Sequence, residues 1–179
     1  MKTSIVRLTL TLFLICAVVA AALAGINAVT APKIAALQEQ KVADAIAAVL
    51  PGTATETTDY VDATGLVQKV WKSESGYAVQ VAPSGFGGTI TMMVGVDFNG
   101  KVLGIDIVSH AETAGLGDTA AADNAKGQAF RDQFVGQTGE LAVSKDGGTM
   151  DAITSATITS RAVTAGVNAA IGIVVKEGA

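Results

Sequence analysis

Residues 8–29, LTLTLFLICAVVAAALAGINAV, run for 22 positions without a charge. As a helix the stretch is about 33 Å long at ~1.5 Å per residue, which matches a hydrocarbon core of about 30 Å. After Pro32, suited to the first turn of a new helix, Ile34, Leu37, Val42, Ala45, Ile46 and Val49 recur at near-helical spacing until Pro51-Gly52. This predicts a helix leading from the membrane into a domain. Residues 53–64 are polar and threonine-rich, a loop or edge segment. Strand patterns follow in Val67, Val70 and Trp71, then Tyr77, Val79 and Val81, then Ile90, Met92, Val94, Val96 and Phe98. Asn99-Gly100 predicts a two-residue hairpin turn with positive φ at both positions, returning the chain as an antiparallel strand over 101–108. Phe130 and Phe134 suggest a short helix closed near Gly136, and Leu141 and Val143 another short strand. Over 160–175, Val163, Val167, Ala170, Ile171 and Val174 draw one apolar stripe. The expected fold is α+β: a single transmembrane helix, then an antiparallel sheet with flanking helices. The expected divisions are 1–30 for tail and anchor, 31–52 for a juxtamembrane helix and 53–179 for the domain.

A cleaved signal peptide competes with a retained anchor, because Ala22-Leu23-Ala24 before Gly25 has the small-x-small form of a cleavage site. Secretory apolar regions run about 7–15 residues, whereas this one continues through Ile26, Ala28 and Val29. The length favours an anchor. A lipoprotein attachment through Cys16 is disfavoured by Ile15, which stands where a small residue is needed. Lys2 and Arg7 abut the segment on one side, against Lys33 and Lys41 on the other. This bias puts the amino terminus in the cytoplasm and the carboxyl-terminal domain outside a single-pass cell (inner) membrane protein.

Charge and cysteine content then narrow the chemistry. Twelve Lys and Arg against 16 Asp and Glu give a net charge of -4, with no basic field for nucleic acid. The single cysteine excludes an internal disulfide, a Cys zinc site and an iron–sulfur centre. No metal-ligand cluster and no Ser-His-Asp set stands out, so no catalytic residue is assigned. Redox chemistry in such a chain would come from a bound organic cofactor.

Residues 151–161, DAITSATITSR, place hydroxyls just before a helix whose first N–H groups lack partners and whose dipole end is positive. A phosphate is favoured there. The same hydroxyls also suit plain structure, with Thr159 or Ser160 capping the helix and Thr154 and Thr157 solvated.

Asp151 and Thr154-Ser155-Ala156-Thr157 resemble the D-x-x-[ST]-[GS]-A-T signature of proteins that carry FMN as a phosphoester on the last Thr. Ser84-Gly85-Phe86-Gly87-Gly88, leading into TITMMVGVDFNGKV, is similar to a G-[YF]-G-G segment of the same family, and residues 109–118, SHAETAGLGD, to its H-x-E-T-P-G-L-G. With the anchor, these ordered motifs resemble the G-type subunit of the Rnf electron-transport complex, a relative of the C-type subunit of the sodium-pumping quinone reductase. The resemblance implies covalent FMN on Thr157, installed from FAD by a magnesium-dependent flavin transferase; Asp151 suits recognition or orientation of the segment by that enzyme and, equally, a plain solvated turn. It implies backbone N–H groups of Thr154, Ser155 and Ala156 beside the phosphate. Gly85, Gly87 and Gly88 would admit main chain close to the flavin, and Glu112, Thr113, Gly115, Leu116 and Gly117 would form a second wall. As hairpin glycines and loop residues, the same positions need no ligand. His110, the sole histidine, suits a structural hydrogen bond better than proton donation. Two positions depart from the family. Ala114 replaces a usual Pro and removes a fixed φ; Ser155 replaces a frequent Gly, which predicts a backbone that avoids positive φ there.

The implied function is electron transfer as a flavoprotein subunit among other membrane subunits of an Rnf-type complex, whose overall reaction couples ferredoxin:NAD oxidoreduction to Na⁺ or H⁺ movement. The span holds no ionisable residue and offers no ion path of its own. Two alternatives stay open: a noncatalytic anchored envelope domain without flavin, and an FMN carrier of another respiratory reductase.

Overall fold

A computed structural model describes residues 2–57 and 60–177, with the side chains of 2–5 and 174–177, including that of Val174, outside the described residues. Helix α1 runs Lys2–Val49 and contains Pro32 in its interior. The sequence pattern expects a new helix to start there instead. Pro32 deprives the Ala28 carbonyl of its helical donor, but one lost bond does not end a helix whose neighbouring bonds remain. Within α1, Val6–Val49 includes a window long and apolar enough to cross a membrane, and that window is unburied. The chain divides into two compact units, residues 1–41 and 42–179.

In the second unit, β1 (Thr55–Thr57), β2 (Val67–Lys72), β3 (Tyr77–Val81), β4 (Thr91–Val96) and β5 (Val102–Ser109) form one sheet in that spatial order. Every neighbouring pair is antiparallel. The threonine-rich segment therefore supplies an edge strand. Helices α2 (Ala125–Asp132) and α3 (Thr157–Glu177) follow.

Alternation along the strands separates two cores, as a side-chain period of two requires. Tyr77, Val79, Val81, Met92, Val94 and Val96 join one core with Val163, Val167, Ala170 and Ile171 of α3. The intervening Ala78 and Met93, with Trp71, pack instead against Ala45, Val49 and Leu50 at the end of α1. Both faces of the sheet are thus covered, which accounts for the unbroken apolar run Met92-Met93-Val94. Gly95 allows the crossing of helix over strand: a Cβ there would overlap the Val49 carbonyl oxygen.

Three local expectations are corrected. The hairpin between β4 and β5 uses Gly100 at φ 75° as its only positive-φ residue, while Asn99 stays at negative φ. The Asp97 carboxylate accepts the N–H groups of Asn99 and Lys101, both at 2.8 Å, and this stabilises a longer turn than Asn-Gly alone would make. Leu141 and Val143 form no strand; Val143 makes an isolated bridge to Met150, and a 3-10 turn follows at Ser144–Asp146. The Asn168 side chain meets the Leu141 backbone instead, accepting its N–H at 2.9 Å and donating to its carbonyl at 2.8 Å. Finally, α3 begins at Thr157, three residues earlier than its apolar stripe indicates.

Candidate functional site

The start of α3 is set by the turn before it. Ala156 N–H donates to Ile153 O at 3.0 Å, and Ser155 between them lies at φ 63°. The expectation that Ser155 avoids positive φ is overturned. A turn closed in this way with a left-handed third residue has the form of type II, which favours Gly at that place and admits a small polar residue at some cost. Ser160, fully buried, accepts the Ile153 N–H at 2.9 Å and donates to Ala156 O at 3.0 Å, tying turn and helix together. Thr159 and Ser160 therefore do not cap the helix end; they lie inside its first turn. Thr157 opens the helix, and its backbone N–H and those of Ile158 and Thr159 have no intrahelical acceptor.

Two further segments meet this turn. Gly85 N–H donates to Gly88 O at 2.7 Å, closing a tight loop that leaves Phe86 70% exposed. The loop lies against residues 111 and 112 so closely that a Cβ on Gly87 would overlap the Ala111 carbonyl, and one on Gly85 the Glu112 carboxylate. Glu112 then joins all three segments: Oε1 accepts the Gly87 N–H at 2.8 Å and Oε2 the Thr159 hydroxyl at 2.5 Å. Gly117 is packed over this contact, since a Cβ on it would crowd both Glu112 Oε2 and Thr159 Oγ1. The Glu112 N–H donates to His110 Nδ1 at 3.2 Å, a structural hydrogen bond.

Between these segments lies a cleft of about 320 Å³, lined by Phe86, Glu112, Thr113, Leu116 and Gly117 on one side and Ser155, Ala156, Thr157, Ile158 and Thr159 on the other. Phe86, Leu116 and Ile158 are exposed apolar side chains at this cleft. A second cleft, about 570 Å³, shares Leu116 and Ser155 with the first and takes in Gly115, Asp151 and Thr154. Gln133 holds Asp151 by the backbone: it accepts its N–H at 2.6 Å and donates to its carbonyl at 3.0 Å. The Asp151 side chain stays exposed.

Of the residues singled out in the sequence, seven line the first cleft: Glu112, Thr113, Leu116, Gly117, Ser155, Ala156 and Thr157. Thr154, Gly115 and Asp151 face the second, while Gly85, Gly87 and Gly88 lie in the loop that packs on residues 111 and 112. The Ala156 N–H is already engaged by Ile153. Phe86, Ile158 and Thr159 are additional lining residues. Phe86 and Ile158 stand out in the sequence as apolar residues within Gly-rich or hydroxyl-rich strings, a signal that could have found them.

Lys145 carries no such signal. It reaches the site from the 3-10 turn at Ser144–Asp146, and its ammonium donates to Thr157 Oγ1 at 3.0 Å. Arg161 on α3 anchors that turn by a bidentate pair with Asp146, at 2.6 and 2.5 Å. The guanidinium hydrogen bond and charge hold the Asp146 carboxyl below its ordinary value.

An apolar helix long enough to cross a membrane thus precedes a small α+β domain that carries an apolar-walled cleft beside a hydroxyl and a lysine. The FMN-binding domain family matches residues 85–172, and the RnfG N-terminal region matches residues 1–49. The chain is 34% identical to the G-type subunit of the Na⁺-translocating ferredoxin:NAD⁺ oxidoreductase complex of Acetobacterium woodii, over 93% of this chain and 90% of that protein. It is 42% identical to the G-type subunit of the ion-translocating oxidoreductase complex of Aliivibrio fischeri, over 54% of this chain and 48% of the relative. Against the G-type subunit of the proton-translocating ferredoxin:NAD⁺ oxidoreductase complex of Clostridium ljungdahlii identity is 44%, over 53% and 51%. The chain thus spans about half the length of several curated relatives it matches and most of others. It belongs to the RnfG family of Rnf-complex subunits and contains an FMN-binding domain.

Proposed function

We propose that this chain is the electron-transfer subunit of a membrane-bound, ion-translocating ferredoxin:NAD oxidoreductase complex, and that it carries FMN as a phosphoester on Thr157. One observation carries the attachment: the Thr157 hydroxyl stands at the first residue of α3, beside the 320 Å³ cleft and in contact with the Lys145 ammonium. The residues present fit the group. The unpaired N–H groups of the first helical turn and Lys145 suit a phosphate, and Phe86, Leu116 and Ile158 offer apolar contact to a flat ring. Thr113 adds a hydroxyl at the cleft wall.

Bound FMN would accept and release one or two electrons. The chain's own part is to hold and orient. Glu112 keeps the two walls together through Gly87 and Thr159, so the cleft is defined before any cofactor enters. For attachment, Thr157 would supply the acceptor oxygen: its Oγ1 would replace AMP on the flavin-side phosphorus of FAD, and its proton would go to a base of a flavin transferase. Asp151, presented outward by Gln133, is a recognition point for that enzyme. A covalent tether maintains high effective concentration without tight binding, which suits a domain on the outer side of the cell membrane with its amino terminus in the cytoplasm. Electrons pass between this domain and other membrane subunits of the complex.

The test is mass spectrometry of the peptide spanning residues 151–161 from native membranes, with Thr157→Ala alongside. The expected result is that peptide heavier by FMN less one water, with flavin fluorescence surviving denaturation and absent from the variant. A bare peptide from cells with an active transferase sinks the reading.

A further inference from the structure

Lys145 makes a defined contact with the proposed acceptor oxygen from outside the motif that holds it. It is exposed, and among the described residues no carboxylate lies within ion-pair distance of its ammonium. The adjacent carboxylate, Asp146, is occupied by Arg161 through both oxygens. Lys145 therefore presents an uncompensated positive charge at Thr157 Oγ1, 3.0 Å away. The charged residue lining the cleft is Glu112, whose negative charge opposes an entering phosphate. An attractive cation at the point of attachment offsets that repulsion.

We propose that Lys145 is the positioning residue for the phosphate joined to Thr157: it draws the flavin-side phosphate of FAD to the hydroxyl during transfer and pairs with the phosphodiester afterwards. The proposal rests on the reading of Thr157 as the attachment site. Lys145 neither gives nor takes a proton in the transfer. The new bond is Thr157 Oγ1 to phosphorus, the broken one is the pyrophosphate P–O bond, AMP carries away the bridging oxygen, and the hydroxyl proton goes to the transferase. The phosphodiester that remains keeps a negative charge, which the ammonium is placed to meet. The 3-10 turn and the Asp146–Arg161 pair hold the Lys145 backbone beside the start of α3, within side-chain reach of Thr157.

The experiment loads the detergent-solubilised full chain with purified flavin transferase, FAD and Mg²⁺, and follows covalent flavin by in-gel fluorescence against time. Wild type, Thr157→Ala, Lys145→Met, Lys145→Arg and Lys145→Glu are compared, with thermal unfolding of each unloaded protein. Lys145→Met is expected to load about tenfold more slowly, Lys145→Arg within about twofold of wild type, and Lys145→Glu more slowly than Met. Unloaded melting temperatures should stay together. The glutamate separates charge from hydrogen bonding: it can accept the Thr157 O–H, so loading at or above the Met rate would reduce Lys145 to a structural partner and overturn the proposal. Equal loading of wild type and Lys145→Met also overturns it while leaving Thr157 as the attachment site. A lowered melting point in Lys145→Met that Arg does not restore does the same. If wild type takes no flavin while a known acceptor does, the attachment reading fails and the role of Lys145 falls with it.

Discussion

Thr159 donates to the Glu112 carboxylate at 2.5 Å across 47 residues of sequence, and the same carboxylate accepts the Gly87 N–H at 2.8 Å. Two hydrogen bonds to one charged group hold three segments in register, and such bonds contribute about 1.5–3 kcal/mol each. Glu112→Ala should therefore lower the unfolding free energy by about 2–3 kcal/mol, and Thr159→Val by about 1–2 kcal/mol, in urea titrations of the solubilised chain. The double variant should lose less than the sum, because both changes remove the same contact. Additive losses would show that the contact does not join the walls.

Ser155 at φ 63° occupies a conformation that costs a non-glycine residue about 1–2 kcal/mol. Ser155→Gly should raise the melting temperature, with a net gain of about 0.5–1 kcal/mol after the added freedom of glycine in the unfolded chain. Ser155→Val should lower it. Calorimetry of the three proteins decides the order.

At the crossing of α1 over the sheet, Gly95 and Gly104 make opposite demands. A methyl group on Gly95 meets the Val49 carbonyl, which is backbone and cannot swing away, whereas one on Gly104 makes ordinary contact with Val49 at 3.5 Å. Gly95→Ala should cost about 2–3 kcal/mol and Gly104→Ala less than about 1 kcal/mol in equilibrium unfolding. Equal effects would mean that the end of α1 does not bear on the strand as described.

Hydrogen bonds from Lys101 N–H, against some desolvation, and then from Asn99 hold the Asp97 carboxyl below its ordinary value of 3.8. The group binds fewer protons in the folded than in the unfolded chain through that range, so its contribution is complete above pH 3.8 and disappears as pH falls through the lower folded value. Asp97→Asn should reduce stability at neutral pH by about 1 kcal/mol and flatten the acid limb of the stability profile. An unchanged acid limb would show that another carboxylate governs it.

The hydrophobic pattern was enough to announce an apolar helix, most of the strands in the sheet region and the carboxyl-terminal helix, because burial on one face imposes a period of two or 3.6 along the chain. The D-x-x-T-S-A-T string, Gly-rich turn and H-x-E-T string likewise marked the three segments that meet around the 320 Å³ cleft, since their residue types answer local needs of turn and helix start. Three things were illegible. Whether Pro32 opens a helix or lies inside one depends on neighbouring bonds that the local pattern does not encode. The cover on the second sheet face depends on where Val49 and Leu50 land, although the run Met92-Met93-Val94 hinted at it. The conformation of Ser155 is imposed by Ser160 and the turn it braces.

By itself, then, the sequence determined which segments are apolar, which turn and which offer hydroxyls, for these follow from side-chain chemistry and short-range spacing. Tertiary structure alone decided that Glu112 reaches Thr159 and that Lys145 reaches Thr157. Those pairings bring together residues far apart along the chain, and they exist only because the sheet, the 3-10 turn and α3 pack to put them within a hydrogen bond's length.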